Sequence, residues 1–382
     1  MSAATSRLRG KRIVFVVAWP VMGGAERNAL QVLLHFAHDE GARVDVLALT
    51  AEEGRFRTAV NDAGIAWHPF PVHWFGGRAQ KGRTLMRLAV RLRRLRPDVL
   101  MPYTTRPNVL CGLVWPTTGA SICVWNQRDL ASSTKFRPEL IARAAARSSL
   151  LVANSQAGRD YVVSKFGAKP DRVRVLLDSI TLPEPSAGRA EWRARHAVAE
   201  NTIVATMLAH FHHGKDHETL LRAWRVVVDR VGAGVVLFLA GRSAGTKDMA
   251  KALAYDLDLG SSVRFLEDVV DVAGLLAASE IGVLSSPSES APNALLESMT
   301  AGLAVVGTDV PGIREIVPAE QDRYLTPPRD HEQLAAVLVE LIGDPAARER
   351  LGRRNREHVL ARSSVSASRG MASLISAELA RT

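Results

Sequence analysis

The sequence has two cysteines, Cys111 and Cys123, in 382 residues. Both sit in apolar stretches, which excludes a disulfide framework and predicts two buried thiols in a reducing, cytoplasmic setting. Long unbroken apolar runs are also missing. Residues 108–125 carry no charge, but Pro116, Thr117, Thr118 and Gly119 interrupt them. Helix, turn and strand fit that segment better than a spanning helix, which needs ~20 apolar residues. The basic SRLRGKR and apolar IVFVVAWPVM at the start imitate a signal peptide. They lack a small-x-small cleavage site and lead into a glycine turn, so a buried first strand is expected. The loop after that strand contains neither G-x-G-x-x-G nor G-K-[ST], which excludes the common dinucleotide and P-loop patterns there. Interleaved aromatics and groove-reading motifs are absent, so no nucleic-acid partner is expected.

What is present is ordinary for a packed protein: 47% hydrophobic and 23% charged residues. Lys and Arg number 49 against 39 Asp and Glu, a formal charge of +10. That balance favours an anionic partner, whether phosphate, an acidic membrane face or nucleic acid.

Short, uniformly apolar runs alternate with helical patterns. They begin at Ile13, Val44, Ile65, Asp98, Ser121, Leu150 and Val173. Strands that are apolar throughout are buried on both faces, and alternation with helices indicates a parallel sheet. The segment TLPEPSAGRA, residues 181–190, reads as a linker. Alternation then resumes at Thr202, Val235, Val263, Ile281, Leu303 and Arg323, and the chain ends in helix. The expected fold class is therefore α/β, with two Rossmann-like domains in tandem, each a parallel sheet with helices on both faces. Ligands of such sheets bind beyond the carboxyl ends of the strands, so the loops there matter most.

Three of those loops stand out. PVMGGAERNAL carries Gly23 and Gly24 ahead of a helix expected near Ala25. The glycines either admit a ligand to a helix start or make a plain tight turn. AHFHHGKDHETLLRAW places Lys215 before Asp216, a plausible cap for a helix starting near His217. Lys215 either neutralises a phosphate or is a solvated surface lysine. The histidines around it, His210, His212, His213 and His217, match no zinc spacing, so no metal site is expected. The third loop runs SSPSESAPNALLESM from Ser285. Pro292 suits a first helical position, with Ser290 or Ala291 as the cap. The N–H groups of Asn293 and Ala294 then form a phosphate seat. Glu289 precedes that helix and Glu297 lies within it. Either these carboxylates accept hydrogen bonds from sugar hydroxyls, or they are a dipole-favoured and a surface glutamate.

These residues resemble the family 4 retaining glycosyltransferases, whose GT-B architecture has two facing Rossmann-like domains. The stretch S-E-x-x-P-N-x-L-L-E-x-M-x-A-G-L-x-V-V-x-T-D-V-x-G-I-x-E-I-V is matched over residues 288–317, with KDHETLLRA from Lys215 and FLEDVVDVAGLLAASEIGVL from Phe265. GGAER and the helix from Leu85 also look like family counterparts. The resemblance implies an N-terminal, acceptor-binding domain over 1–183 and a C-terminal, nucleotide-sugar donor-binding domain over 184–362. It also implies a helix over 363–382 that packs back on the first domain. It implies that Lys215 contacts a diphosphate and Glu289 the donor sugar, as the two catalytic residues. Glu297 would hold the ribose, the N–H groups of Asn293 and Ala294 the distal phosphate, and backbone around 268–270, including Val269, the base. Gly23 and Gly24 would close on the diphosphate. No cofactor and no metal are implied, and no Asp-x-Asp motif sits in a suitable loop. A front-face mechanism fits better than a covalent intermediate.

The sequence departs from the family pattern at several points. His210 stands where the resemblance has arginine, which would make donor binding weaker and pH-sensitive. Ala291 and Pro311 replace a bulky residue and a glycine. Asp178-Ser179 replaces an asparagine-glycine turn. A first-domain histidine is replaced by Asn126-Gln127-Arg128-Asp129. Arg128 and Asp129 either serve the acceptor or sugar or form a salt-bridged loop.

Residues 82–96 form a basic amphipathic helix, with Leu85, Leu88, Leu92 and Leu95 on one face and arginines elsewhere. Two readings stand: peripheral docking on an anionic membrane at the inner face of the cell, or leucines packed on the sheet beneath a solvated arginine face. The resemblance implies transfer of a hexose or N-acetylhexosamine to a glycan or lipid-linked acceptor. A small soluble acceptor and an inactive nucleotide-sugar-binding subunit are the alternatives. An epimerase or a phosphorylase would need catalytic groups that no motif supplies.

Overall fold

Alternate residues of the first strand, β1 (Arg12–Val17), enter two different cores. Ile13, Phe15 and Val17 lie in one, Val14 and Val16 in the other. This is why the strand is apolar at successive positions: side chains alternate across a sheet covered on both faces.

The computed structural model describes residues 7–381 apart from 75, 131–135, 179, 268 and 363–365. It divides into two compact units, Met1–Asp178 with Val365–Thr382, and Ser179–Ser364. In the first unit β1 is followed by α1 (Gly24–His38), β2 (Arg43–Ala48), α2 (Arg55–Asp62), β3 (Ala66–Pro69), α3 (Arg78–Arg94), β4 (Val99–Pro102), α4 (Thr105–Val114), β5 (Ile122–Gln127), α5 (Pro138–Arg147), β6 (Leu150–Ala153), α6 (Gln156–Phe166) and β7 (Val173–Val175). The second unit contains α7 (Arg189–Arg195), β8 (Ile203–Leu208), α8 (His217–Val231), β9 (Val235–Ala240), α9 (Lys247–Asp256), β10 (Val263–Leu266), α10 (Val272–Ala277), β11 (Ile281–Leu284), α11 (Asn293–Thr300), β12 (Ala304–Thr308), α12 (Pro311–Arg314), β13 (Leu325–Thr326), α13 (His331–Gly343) and α14 (Pro345–Arg362). The last helix, α15 (Ala367–Leu379), returns to the first unit, where Met371, Ala372 and Ile375 join the core of Phe15.

Among the described residues the first sheet has seven parallel strands in the order β3-β2-β1-β4-β5-β6-β7. The second has six, also parallel, in the order β10-β9-β8-β11-β12-β13. The expected α/β class and parallel sheets are thus observed. Strand order reverses between β1 and β4 in one sheet and between β8 and β11 in the other. Crevices at such switch points are where α/β sheets bind ligands.

In α3 the leucines are spent on packing. Leu88 and Leu92 are fully buried and Leu95 nearly so, in the core that also holds Val14, Val16 and the α4 residues Val109 and Leu110. Among the described residues no helix is long and apolar enough to cross a membrane. Cys111 and Cys123 are free and buried, and burial pushes the Cys123 thiol up to about 12.

Candidate active site

The switch point of the second sheet is flanked by the loops after β8 and β11, which carry Lys215 and Glu289. The first loop is held close to β9. Ala209 N–H donates to Ala240 at 2.9 Å and Phe211 bridges to Ser243. A side chain on Gly241 would overlap the Ala209 carbonyl, so glycine is required there. The His212 Nδ1 accepts from Gly214 N–H at 3.1 Å and turns the chain towards Lys215. Asp216 takes a left-handed φ of 50°, which Asp tolerates better than most residues, and caps α8. Its carboxylate accepts from Thr219 N–H at 3.3 Å and from Thr219 Oγ1 at 2.7 Å.

The second loop is tied to the first by Ser285. Its hydroxyl lies 3.2 Å from the Lys215 carbonyl and 2.9 Å from that of Asp216. Lys215 Nζ then pairs with Glu289 Oε1. Their side chains are 24% and 11% exposed, so the pair is shielded yet reachable from solvent. The structure therefore brings together the two residues that sequence reasoning singled out as catalytic. Glu297 is buried one element further on, in α11.

One local expectation is corrected. Pro292 is not the first helical residue but the cap, with φ −74° and ψ 107°, and α11 begins at Asn293. Neither Ser290 nor Ala291 caps it. Pro292 lacks an N–H to satisfy, so cap and first-turn positions suit it alike. Asn293 and Ala294 thus occupy the first two helical positions, whose N–H groups have no intrahelical acceptor. Beneath this loop a side chain on Gly312 would overlap the carbonyl oxygens of Glu289 and Ser290, so α12 can sit against the loop only with glycine there.

Burial, with Lys215 close by, disfavours the protonated forms of His217 and His212. His217 is buried and stacks on Phe211 with ring centroids 4.4 Å apart. Burial, then the neighbouring His212 and Lys215, bring its pKa down to about 4. His212 is lowered for the same reasons, burial first and Lys215 next. His210 accepts from the Arg242 N–H through Nδ1 at 3.4 Å, so its ring leans on the β9 loop.

Val269 is half-buried, and Asp268 lies outside the described residues. The turn that follows is fixed by Asp271, which caps α10 through Gly274 N–H at 2.8 Å. Asp271 also accepts from Trp192 Nε1 at 2.9 Å and from Ser186 Oγ at 2.7 Å, tying the linker to this turn. Burial opposes its charge, but these hydrogen bonds outweigh it and hold the carboxyl below its ordinary value. Sequence reasoning missed Lys247. Its side chain is buried over the Phe211 ring, 5.6 Å from the centroid, and paired with Glu267 at the end of β10. No motif marks that pair; only the adjacency of β9 and β10 brings it together.

In the first unit, Gly23 is the N-cap of α1 and Gly24 its first residue. Gly23 has an extended φ of −106°, and Gly24 is not among the residues of positive φ. Backbone angles therefore do not demand these glycines; what they provide is a helix start without side chains. Arg128 and Asp129 do not pair with each other. Arg128 forms a buried ion pair with Asp178, which also accepts from Asn28 Nδ2 at 2.9 Å and Asn154 Nδ2 at 3.1 Å. The guanidinium lies over the Tyr103 ring, 5.5 Å from its centroid. Asp129 is held by Thr105 Oγ1 at 2.9 Å, and burial raises its carboxyl above the ordinary value. Thr104, just before α4, takes φ 70° and ψ 167°, a strained conformation for a β-branched residue. These groups lie at the carboxyl ends of β4 to β7. Among the described residues no cluster of three or more His, Cys, Asp or Glu side chains could hold a metal ion.

Comparison with known proteins agrees with this geometry. Residues 188–358 match the family described as glycosyl transferases group 1, and residues 22–180 match glycosyltransferase family 4. D-inositol 3-phosphate glycosyltransferase of Saccharomonospora viridis is 28% identical over 223 residues, 56% of this chain and 52% of that protein. The chain thus spans about half the length of such curated relatives. The lipopolysaccharide core biosynthesis glycosyltransferase LpsE of Rhizobium meliloti is 27% identical over 340 residues, 85% of this chain and 92% of LpsE. HepE of Anabaena, solved with UDP and glucose, superposes with a TM-score of 0.81 at 20% identity, covering 97% of this chain and 99% of HepE. The chain belongs to the family 4 glycosyltransferases and has their GT-B fold of two Rossmann-like domains.

Proposed function

We propose that the protein is a retaining glycosyltransferase that moves a hexose or N-acetylhexosamine from a nucleotide-diphosphate sugar to a glycan or lipid-linked acceptor. The observation that carries this reading is the Lys215–Glu289 pair at the switch point of the second sheet, beside the start of α11. Donor binding exchanges partners within that pair. The diphosphate takes Lys215, and the sugar hydroxyls take the carboxylate of Glu289 that Lys215 releases. The first N–H groups of α11, at Asn293 and Ala294, hold the distal phosphate. Glu297 meets the ribose and the backbone at Val269 the base. As the bond from the anomeric carbon to the phosphate oxygen breaks, charge grows on the leaving diphosphate. Lys215 and the helix start are already aimed at it, and such preorganised charge stabilises the transition state without reorganisation. The acceptor oxygen bonds to the anomeric carbon, and its proton passes to the leaving phosphate. This chemistry uses no metal and no cofactor.

The solved neighbour HepE, bound to UDP and glucose or to UDP-glucose, supports a sugar-nucleotide donor, and the names of the curated relatives divide over the acceptor. LpsE favours a glycan or lipid-linked one. The inositol-phosphate enzyme and an N-acetyl-alpha-D-glucosaminyl L-malate synthase of Bacillus anthracis favour a small soluble one. The test of the donor is a melting-temperature panel of UDP-, GDP- and ADP-sugars with EDTA present. Binding to the native state raises the melting temperature by mass action. A shift with one nucleotide-sugar supports the reading and names the base. No shift with any of them overturns it.

A further inference from the structure

The loops that leave the first sheet at its own switch point carry groups that the donor reading does not use. Strands β1 and β4 are paired as far as Val16 and Pro102. Trp19 lies just beyond the one and Thr104 just beyond the other. Of the described Phe, Trp and Tyr side chains, only Trp19 and Tyr255 are largely exposed, at 47% and 85%. Tyr255 is at the end of α9, away from the carboxyl ends of the strands. The backbone on either side of Trp19 is fixed. The Val17 carbonyl accepts from Leu49 N–H at 2.8 Å, and the Pro20 carbonyl from Phe56 N–H at 3.0 Å. A side chain on Gly54 would overlap that Pro20 carbonyl, and a residue before proline has few backbone conformations open to it. Thr104 stands at the N-cap of α4, where threonine ordinarily caps through its hydroxyl, yet it makes no such bond. Its φ of 70° and ψ of 167° belong to a region nearly confined to glycine. Such strain persists only where the surrounding structure imposes it, and it gathers at binding sites. Asp129, just beyond β5, is the third group. Its carboxylate accepts from Thr105 Oγ1 at 2.9 Å and from Gln127 Nε2 at 3.2 Å and retains further acceptor capacity.

We propose that Trp19, Thr104 and Asp129 form the seat of a neutral pyranose ring of the acceptor. A pyranose has an apolar face of C–H bonds and an edge of hydroxyls. The indole supplies an apolar plane for the face, held at little entropic cost by its fixed backbone. The Thr104 hydroxyl and the Asp129 carboxylate supply partners for the edge. The Thr105 hydroxyl, bonded to Asp129, ties the loop after β5 to the strained start of α4. Cations that would suit an anionic acceptor are committed elsewhere in these loops. Arg106 donates to the Val72 carbonyl, and Arg128 is paired with Asp178. A phosphate or carboxylate on the acceptor would meet the Asp129 carboxylate there instead. The seat therefore favours a saccharide acceptor, as on a glycan or a lipid-linked sugar, over an inositol phosphate or malate. The proposal deepens the acceptor half of the proposed function and rests on the protein being a glycosyltransferase.

The test is NMR of the full chain with isotope-labelled tryptophan and no donor present. The indole N–H signal of Trp19 is identified by its absence in W19F. Methyl pyranosides of glucose, galactose, mannose and N-acetylglucosamine are titrated in turn, and D-inositol 3-phosphate and L-malate are titrated for comparison. The expected result is that at least one pyranoside moves the Trp19 signal and neither anion does. W19A should weaken that pyranoside about tenfold, and W19F clearly less, since a phenyl ring keeps a stacking face. T104G should raise the melting temperature, because glycine adopts this conformation freely, and should still weaken the same pyranoside. A purely structural threonine would give the first effect without the second. The proposal is overturned if no pyranoside moves the Trp19 signal, or if an anion moves it in their place. It is overturned equally by wild-type affinity in W19A or in T104G. Because no donor is present, a failed titration leaves the donor reading standing, and a failed donor panel leaves the titration standing.

Discussion

Arg128 and Asp178 form a buried ion pair at the carboxyl end of the first sheet, with side chains 4% and 2% exposed. Both lie in segments, 126–129 and 178–179, that differ from the pattern the sequence resembles. The departures meet in space and compensate each other, since a guanidinium buried there requires a carboxylate. Asp178 also gathers Asn28 from α1 and Asn154 from beyond β6, so one carboxylate fixes the loops that follow three strands. Removing one partner of a buried pair leaves an uncompensated charge, which costs about 3–5 kcal/mol. R128M and D178N should each destabilise the protein strongly, and together by clearly less than the sum. A double-mutant cycle from urea unfolding measures this coupling, and additive losses would contradict it.

Gly312 is a prediction about the donor loop from a residue that touches no donor. Its missing side chain lets α12 sit under the carbonyls of Glu289 and Ser290. G312A should push that loop away and cost about 1–3 kcal/mol. Because Glu289 moves with the loop, nucleotide-sugar affinity should fall further than the lost stability explains. Paired melting curves with and without donor separate the two effects.

The strands were legible because a parallel sheet covered on both faces leaves its strands apolar throughout, and thirteen such runs stand between helical patterns. Lys215 and Glu289 were legible because each follows a strand directly, ahead of a helix. Contacts across the chain were not. Arg128 finds Asp178 fifty positions away, and Lys247 finds Glu267 twenty away, through strand order that no local pattern contains. That Gly23 and Gly24 sit at a helix start was legible, but composition reveals glycine and not its φ. Of the two readings of α3, the structure shows the leucines packed on the sheet.

His217 makes stability depend on pH. Its pKa is about 4 in the folded chain against 6.5 ordinarily, mainly through burial. Between those values the unfolded state binds the proton and the native state does not. The contribution is therefore intact above pH 6.5 and is lost as pH falls towards 4, by roughly 3 kcal/mol in all. Below that range both states are protonated and the loss is complete. H217Q should flatten part of this acid slope in urea titrations between pH 7 and 4. His212 is lowered in the same direction and retains some of the slope in the variant.

Lys215 and Glu289 should separate catalysis from folding. Each pairs with the other in the free protein, so a single substitution releases one charge at a site that solvent can still reach. Solvent access moderates that penalty, and both K215A and E289Q should stay folded with melting temperatures a few degrees from wild type. Transfer should respond very differently. Removing one preorganised group that stabilises transition-state charge typically costs 100- to 1,000-fold in kcat. K215A should lose both donor affinity and kcat, because the diphosphate needs the ammonium in the ground state and more so as its charge grows. E289Q keeps the shape and one acceptor oxygen, so donor affinity should fall only modestly while kcat falls about 100-fold. Steady-state kinetics with the donor found by the panel measures both. Equal kcat in wild type and E289Q would remove Glu289 from the reacting centre and leave it as the partner that positions Lys215.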